Sequence, residues 1–204
     1  GVLIPRPETE MLVDIALEGV DTAVPNADGE VRVLEVGVGT GCISLSIATE
    51  RPQTRVYATD LSPKAIALAK RNRDALELQD RVELIECDLV EGIPAELAQS
   101  FSVLVSNPPY IPTGVLEQEV PTEVKGFEPK LALDGGEDGL DVYRRLLEAA
   151  PQMLLPGGML YVELYEGHLN KAACLAEEQG VWKSVEVKED LTHRPRILVA
   201  RLAK

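Results

Sequence analysis

Short apolar runs alternate with amphipathic stretches along most of the chain. The runs predict seven strands, at 31–36, 54–60, 81–87, 101–106, 159–164, 182–188 and 196–201, of which the first is rich in β-branched residues. The amphipathic stretches predict helices at 8–20, 41–50, 63–78, 139–155 and 167–180, the third of them opened by Ser62 and Pro63. Residues 111–137 show little periodicity and predict a loop of a length that is usually either functional or disordered inside a compact domain.

The order of these elements predicts an α/β fold. Strands that alternate with helices form parallel crossover units, with helices covering both faces of the sheet. Only residues 189–195 separate the last two strands, which is too short for a crossover helix, so these strands should pair antiparallel. We therefore expect a mostly parallel seven-stranded sheet with an antiparallel C-terminal edge hairpin.

Composition narrows the possible functions. The chain has 204 residues, about one domain, and 34 acidic against 20 basic residues give a net charge of −14. This balance argues against direct binding of nucleic acid or of an anionic membrane. Three cysteines without a C-x-x-C pair and only two histidines offer little for a metal site, so we predict none.

A glycine-rich turn follows the first predicted strand. Its pattern is G-x-G-x-G, and position 42 is a cysteine, which departs from the dinucleotide fingerprint; a phosphate-binding P-loop is also absent. Asp60 and Asp88 end the next two strands, and ligands of open α/β sheets bind at such carboxyl ends. The turn therefore predicts a ligand site, with a plain strand-to-helix turn as the alternative.

The fourth strand runs into Asn107-Pro108-Pro109-Tyr110. An amide or aromatic amine nitrogen is a poor nucleophile because its lone pair is delocalised. Two fixed acceptors, the Asn107 side-chain oxygen and the Pro108 carbonyl, could orient its two N–H groups and stabilise developing positive charge. Tyr110 could pack against a planar group. The alternative is a strand that two prolines simply terminate.

Both motifs resemble those of known enzymes. The glycine turn, with its preceding acid, resembles motif I of class I S-adenosylmethionine-dependent methyltransferases, which have a Rossmann-like fold; Asn-Pro-Pro-Tyr resembles the motif of methyltransferases that modify planar nitrogens of DNA, rRNA or protein glutamine. This resemblance implies S-adenosyl-L-methionine as cofactor and S-adenosyl-L-homocysteine as product. The implied cofactor-binding residues are Gly37, Val38, Gly39, Thr40, Gly41, Asp60, Leu61, Asp88, Leu89 and Asn107.

Further stretches indicate the substrate. Ile-Pro-Arg-Pro-Glu-Thr-Glu at 4–10, together with residues 127–129, 132–140 and 194–196, resembles the peptide chain release factor N5-glutamine methyltransferase family. The resemblance implies transfer to the glutamine of a Gly-Gly-Gln motif in a class 1 release factor. It implies Asn107, Pro108 and Tyr110 as catalytic residues. The implied substrate-binding residues are Asn107, Pro108, Pro109, Tyr110, Pro5, Arg6 and Glu128.

Some of these roles have alternatives. Residues 4–9 are expected to form a lid, but Arg6 could equally be an ion-pair partner and Glu128 a solvated acid on a loop. Six acids against Lys125 and Lys130 in the loop at 111–137 would repel a phosphate backbone and favour a basic protein loop. Transfer to a ribosomal-protein glutamine or a nucleic-acid amine remains the alternative reaction, and a cofactor-binding module without activity is a third possibility.

The expected organisation is one catalytic domain over 1–204, with a lid and leading helix at 1–21 and a substrate-side loop at 111–137. The resemblance also implies a helical domain before the Ile-Pro-Arg-Pro element, which we expect this chain to lack. We expect a monomer with a release factor as protein partner and no membrane association, since no apolar stretch approaches the ~18 residues of a membrane span. A bacterial chain would be cytoplasmic, and a eukaryotic homologue could be mitochondrial.

Overall fold

All seven predicted strands form and lie in one sheet. The computed structural model describes residues 2–118, 129–190 and 192–204. The strands are β1 (Val31–Val36), β2 (Thr54–Asp60), β3 (Val82–Glu86), β4 (Phe101–Ser106), β5 (Leu154–Glu163), β6 (Trp182–Glu189) and β7 (Pro195–Leu202). Their order is β3-β2-β1-β4-β5-β7-β6, and the pairs among β1 to β5 are parallel. Strand β7 lies antiparallel between β5 and β6, which confirms the predicted C-terminal hairpin.

Helices cover both faces of this sheet. They are α1 (Glu8–Asp21), α2 (Cys42–Glu50), α3 (Pro63–Ala75), α4 (Thr113–Gln118), α5 (Asp141–Met153) and α6 (Leu169–Glu178), with short 3-10 turns at Ala95–Leu97 and Lys130–Ala132. All six residues of β4 are buried, as expected for a central strand that helices cover on both sides.

Alternate residues of the central strands face two separate cores. Val33 and Val103 pack in one core with the buried faces of α1, α2 and α3. Leu34 and Leu104 pack in the other with α5 and α6. This alternation follows the two-residue repeat of a strand and leaves only the strand ends open for a site.

Most boundaries match the sequence prediction to within two residues, and the largest differences lie at the end of α3 and the start of β5. The third predicted helix ends at Ala75, just before Glu77 takes a φ of 57°. The helix predicted to end at residue 155 ends at Met153, and β5 begins at Leu154. The proline and glycines at 156–158 do not form a separate turn before the strand. They lie in an irregularity of β5, where Gly157 has a φ of 84° and the pairing with β4 shifts register.

The segment predicted as one long loop contains local structure. Helix α4 and a 3-10 turn lie on either side of residues 119–128, which are outside the described part of the chain. Ile111 pairs with Asp134 in an isolated bridge, and Thr113 donates a hydrogen bond to the Asp134 carboxylate at 2.7 Å. The two described ends of the segment are therefore held together.

Helix α1 lies very close to β5. A Cβ atom added at Gly19 would overlap the Tyr161 ring, which is buried. This close approach depends on the missing side chain of Gly19.

We expect Gly19→Ala to lower the free energy of unfolding by about 1 kcal/mol, the low end of overpacking penalties, because a buried aromatic ring has little room to move. Denaturant unfolding measures the change. Gly114→Ala in α4 is the control: its Cβ would meet nothing within 4 Å, so stability should stay the same or rise. Equal effects of the two substitutions would contradict the prediction.

Candidate active site

A cleft of about 200 Å³ opens where strands β1 to β4 end. It brings together nine of the residues that the sequence predicted for the site. They are Gly37, Gly39, Asp60, Leu61, Asp88, Leu89, Asn107, Pro108 and Pro109. The carboxyl ends of four neighbouring parallel strands thus form one ligand-sized depression, the location expected in an open α/β sheet.

The glycine turn is held to β2 by its own backbone. The amides of Gly37 and Val38 both donate to the Thr59 carbonyl at 2.9 Å. Gly37, Gly39 and Gly41 have φ values of 83°, 54° and 86°, a region that residues with a Cβ rarely adopt. At Gly37 a Cβ would meet nothing within 4 Å, so glycine is needed there for its backbone conformation and not for packing.

Asp60 connects this turn to the start of α3. Its Oδ2 accepts a hydrogen bond from the Gly39 amide at 2.9 Å, and its Oδ1 accepts one from the Ser62 amide at 2.8 Å. Ser62 in turn caps α3 by accepting from the Ala65 amide at 3.4 Å. Each carboxylate oxygen keeps a further lone pair, so Asp60 can still accept hydrogen bonds from a ligand in the cleft.

Behind the turn lies Glu35, the acid that precedes the glycines. It is 1% exposed and does not line the cleft. Burial raises the pKa of Glu35 to about 8, although hydrogen bonds from the Ser44 hydroxyl and amide act to lower it. The Ser44 amide lies in the first turn of α2, whose N-cap Gly41 has no side chain. Glu35 therefore accepts a hydrogen bond from a backbone amide that has no partner within α2, and it supports the glycine turn from the buried side.

The far end of the cleft contains residues that sequence reasoning missed. Arg145 of α5 donates to the Asp88 carboxylate at 2.8 Å, and this bond raises the pKa of Arg145. Val142 of the same helix and Leu131 add apolar walls. No sequence motif marks Val142 and Arg145, because they join the site only when α5 packs against the strand ends, and Leu131 joins it from the 3-10 turn at Lys130–Ala132.

Asn107 lies at the other end, directly after β4. Its Nδ2 donates to the Thr9 hydroxyl at 3.2 Å. Thr9 is in the first turn of α1 and is 4% exposed. Pro108 and Pro109 line the cleft, whereas Tyr110 does not line it and packs against the core under α5 and α6. Burial, reinforced by the charge of Glu163, raises the pKa of Tyr110.

Glu163, at the end of β5, completes this corner and was also missed. It is 3% exposed, and burial raises its pKa to about 7. Hydrogen bonds from Thr9 and Asn107 to the carboxyl group act in the opposite direction and lower the pKa. No motif around position 163 predicted this contact, since it depends on two residues from distant parts of the chain.

The remaining predicted residues lie elsewhere. Val38 is buried in the core below the turn, and the Thr40 carbonyl accepts from the Asn72 amide group at 2.9 Å. Val38, Thr40 and Gly41 do not line the cleft. Pro5 and Arg6 are exposed just before α1, whereas Val2 and Leu3, which belong to the predicted lid and leading helix at 1–21, line the cleft. Glu128 lies outside the described residues, and the roles of all these residues stay predictions.

Neither a metal-binding cluster nor a membrane-spanning helix lies within the described ranges. Residues 2–118, 129–190 and 192–204 hold no group of three or more histidine, cysteine, aspartate or glutamate residues placed to bind a metal ion. Within the same ranges, no helix combines the length and apolar character needed to cross a membrane.

Comparison with known proteins adds independent information. A family model described as a methyltransferase small domain matches residues 13–124. The release factor glutamine methyltransferase of Clostridium acetobutylicum is 40% identical over 203 residues, covering 98% of this chain and 67% of the relative. The protein of the same name from Geobacter sulfurreducens is 48% identical over 164 residues, covering 80% of this chain and 53% of the relative. The chain spans about two thirds of the length of most of the curated relatives it matches.

Among solved structures, the fold resembles the 16S rRNA N2 methyltransferase RsmC of T. thermophilus, whose crystals contain AdoMet and guanosine. The TM-score is 0.67 at 20% identity, covering 98% of this chain and 44% of that one. At this identity the likeness shows the fold alone, and that fold is of the class I Rossmann-like type.

Proposed function

The chain belongs to the family of release factor glutamine methyltransferases, and from this premise we propose that it methylates the side-chain amide nitrogen, N5, of the glutamine in a class 1 release factor's Gly-Gly-Gln motif. The observation on which the proposal depends is the position of Asn107 and Pro108. They lie in the same cleft as the glycine turn and Asp60, next to where a methyl donor would bind.

We propose S-adenosylmethionine as the donor because the cleft suits its parts. Asp60 offers acceptor oxygens for the two hydroxyl groups of a ribose. Leu61, Leu89 and Leu131 give apolar walls for a planar base. At Gly37 the turn leaves open space on the side where a Cβ would stand, so a ligand can approach the backbone closely.

The residues of the chain would position the acceptor nitrogen and stabilise the charge that develops on it. When bound, S-adenosylmethionine supplies an electrophilic methyl group on a positively charged sulfur. The Asn107 side-chain oxygen and the Pro108 carbonyl accept the two N–H groups of the glutamine amide and hold its nitrogen in line. The same acceptors stabilise the positive charge that develops on that nitrogen. No proton has to be removed before the methyl group moves, and the methylated nitrogen would then lose one of its two protons to solvent to give the neutral N-methyl amide.

The charge of the chain favours a protein substrate. A net charge of −14 would repel a phosphate backbone and would accept a basic protein loop. The names of the relatives also favour a release factor over the alternatives, a ribosomal-protein glutamine or a nucleic-acid amine. Because release factors act on ribosomes, we place the activity in the cytoplasm, or in mitochondria for a eukaryotic chain, and expect a monomer.

The proposed function also suggests how the chain is divided into functional parts. We propose that residues 1–204 act as one catalytic unit, with the lid and leading helix at 1–21 and the substrate-side loop at 111–137. Thr9 and Asn107 support this division, because their hydrogen bond joins the leading helix to the catalytic motif.

Transfer of a labelled methyl group from the cofactor tests the proposal. We expect label in a class 1 release factor, and none in its variant with alanine in place of the Gly-Gly-Gln glutamine. DNA, rRNA and ribosomal proteins are the competing acceptors. Label that persists in the alanine variant, or that enters one of the other acceptors instead, would refute the proposed substrate.

A further inference from the structure

We propose that Thr9 and Glu163 are positioning residues, which hold the side-chain amide of Asn107 with its nitrogen turned inward and its oxygen presented to the acceptor. The kinetic consequence of this inference rests on the proposed function. The orientation of the amide itself does not, and it can be measured separately.

The first support is the contact between Asn107 and α1. The Asn107 Nδ2 donates to the Thr9 Oγ1 at 3.2 Å, across 98 positions of sequence. Thr9 is nearly buried, so its hydroxyl has little access to water as a substitute partner. The Thr9 hydroxyl oxygen accepts a hydrogen bond from one N–H of the Asn107 amide, and its own O–H can still donate one.

The second support is the buried carboxyl group of Glu163. The neighbouring side chains of Thr9 and Asn107 both act to lower its pKa. One N–H of the Asn107 amide is donated to Thr9, and a carboxyl group beside the other leaves the carbonyl oxygen Oδ1 as the atom to present to a substrate. Among the described residues, the second oxygen of Glu163, Oε2, is buried and has no hydrogen-bond partner. A polar atom buried in this way is costly, and its retention here calls for a reason.

Orientation matters because the two ends of an amide are similar in shape and opposite in hydrogen bonding. With Oδ1 towards the cleft, Asn107 accepts an N–H of the substrate amide. With Nδ2 in that place, two donors would face each other and the substrate nitrogen would be pushed out of line. An ionised carboxylate can only accept, so Glu163 selects the first orientation.

Protonation of Glu163 would weaken this selection, because a neutral carboxyl group also donates. Other charged groups also act on the pKa of Glu163: Glu8 of α1 raises it, and Arg196 of β7 lowers it. The charge of Glu163 in turn raises the pKa of Tyr110 and of Cys42. Since burial raises the pKa of Glu163 to about 7, the ionised fraction grows as pH rises through neutrality. We therefore expect kcat to rise with pH in the same range.

A magnetic-resonance experiment tests the orientation without any turnover. In the isotope-labelled chain, the side-chain amide signals of Asn107 are identified by their loss in Asn107→Ala. We expect their protons to exchange with water about tenfold more slowly than in Thr9→Val, the factor that one net hydrogen bond provides. Thr9→Ser keeps the hydroxyl and should restore slow exchange. The wild-type signals should also shift with pH around 7, and those of Glu163→Gln should not.

Steady-state kinetics with a release factor tests the consequence. We expect Thr9→Val to lower kcat about tenfold with unchanged cofactor affinity, and Thr9→Ser to recover most of the loss. Glu163→Gln should flatten the pH profile near neutrality. Thr54→Val is the matched control, because Thr54 is also buried and donates to the Arg51 carbonyl at 2.8 Å, at the opposite end of the sheet. Its kcat and pH profile should match the wild type.

The outcomes separate the two proposals. If the wild-type chain labels no release factor, the proposed function fails, and the exchange rates of the Asn107 amide still decide the orientation. Equal exchange in wild type and Thr9→Val, or a pH shift that persists in Glu163→Gln, would overturn the positioning role. If Thr9→Val does not fold, Glu163→Gln still decides the positioning role, because its Asn107 amide signals should lose the shift with pH that the wild type shows.

Discussion

Asn107→Ala should lower kcat for release factor methylation by about 10²–10³-fold, the size of the loss when one preorganised polar partner is removed. The Asn107 oxygen contacts the acceptor nitrogen in the proposed reaction, so the loss should fall on turnover. Cofactor affinity, measured by calorimetry, should stay within a few-fold of the wild type. Single-turnover assays at saturating cofactor give the rate of the chemical step directly.

Asn26→Ala is the control for this substitution. Asn26 also uses its side chain to organise backbone, accepting from the Asp28 and Glu30 amides at 2.9 and 3.0 Å, but it lies in the loop before β1. Its turnover should equal the wild-type value. Weak cofactor binding combined with normal turnover at saturation in Asn107→Ala would remove Asn107 from the proposed chemistry.

Asp60→Ala should weaken cofactor binding by about 1–3 kcal/mol, the penalty for groups left without a partner. At about 1.4 kcal/mol per tenfold, this corresponds to roughly 5- to 150-fold in Kd. Two effects add, because the variant removes the acceptor for the ligand and also releases the Gly39 and Ser62 amides. Calorimetric titration of each variant with the cofactor measures the change.

Asp190→Ala is the matched control for the second prediction. Its carboxylate likewise accepts two backbone amides, from Thr192 at 2.8 Å and Arg194 at 3.1 Å, but in the turn between β6 and β7. Asp190 also accepts from the Thr192 hydroxyl and the Arg196 guanidinium, so Asp190→Ala should lose at least as much stability, and only Asp60→Ala should lose affinity. Unchanged cofactor affinity in Asp60→Ala would place Asp60 outside the binding site.

The sequence predicted those features that depend on local pattern. The runs that became β1 and β4 are rich in β-branched residues, and the short spacing before β7 required an antiparallel partner. The glycine turn and Asn107 could be recognised because each is a contiguous motif after a strand. Their meeting in one cleft follows from the parallel sheet, which places all strand ends on the same side.

Contacts between distant segments could not be predicted in this way. Asp88 was identified at a strand end, but its partner Arg145 has the ordinary polar character of an exposed helix face. The sequence predicts Thr9 as part of a lid, and only the packing of α1 on β5 shows that it contacts Asn107. Glu163 had no signal at all, since its role depends on burial and not on its neighbours in sequence.

The two backbone hydrogen bonds that Asp60 accepts also have a thermodynamic consequence. They fix the loops that precede α2 and α3, so the conformational entropy of Gly39 and Ser62 is lost when the protein folds and not when a ligand arrives. Binding then needs little further ordering of these loops, and more of the contact free energy remains as affinity. Fold stability and ligand capture are therefore coupled through a single carboxylate, and a substitution there affects both.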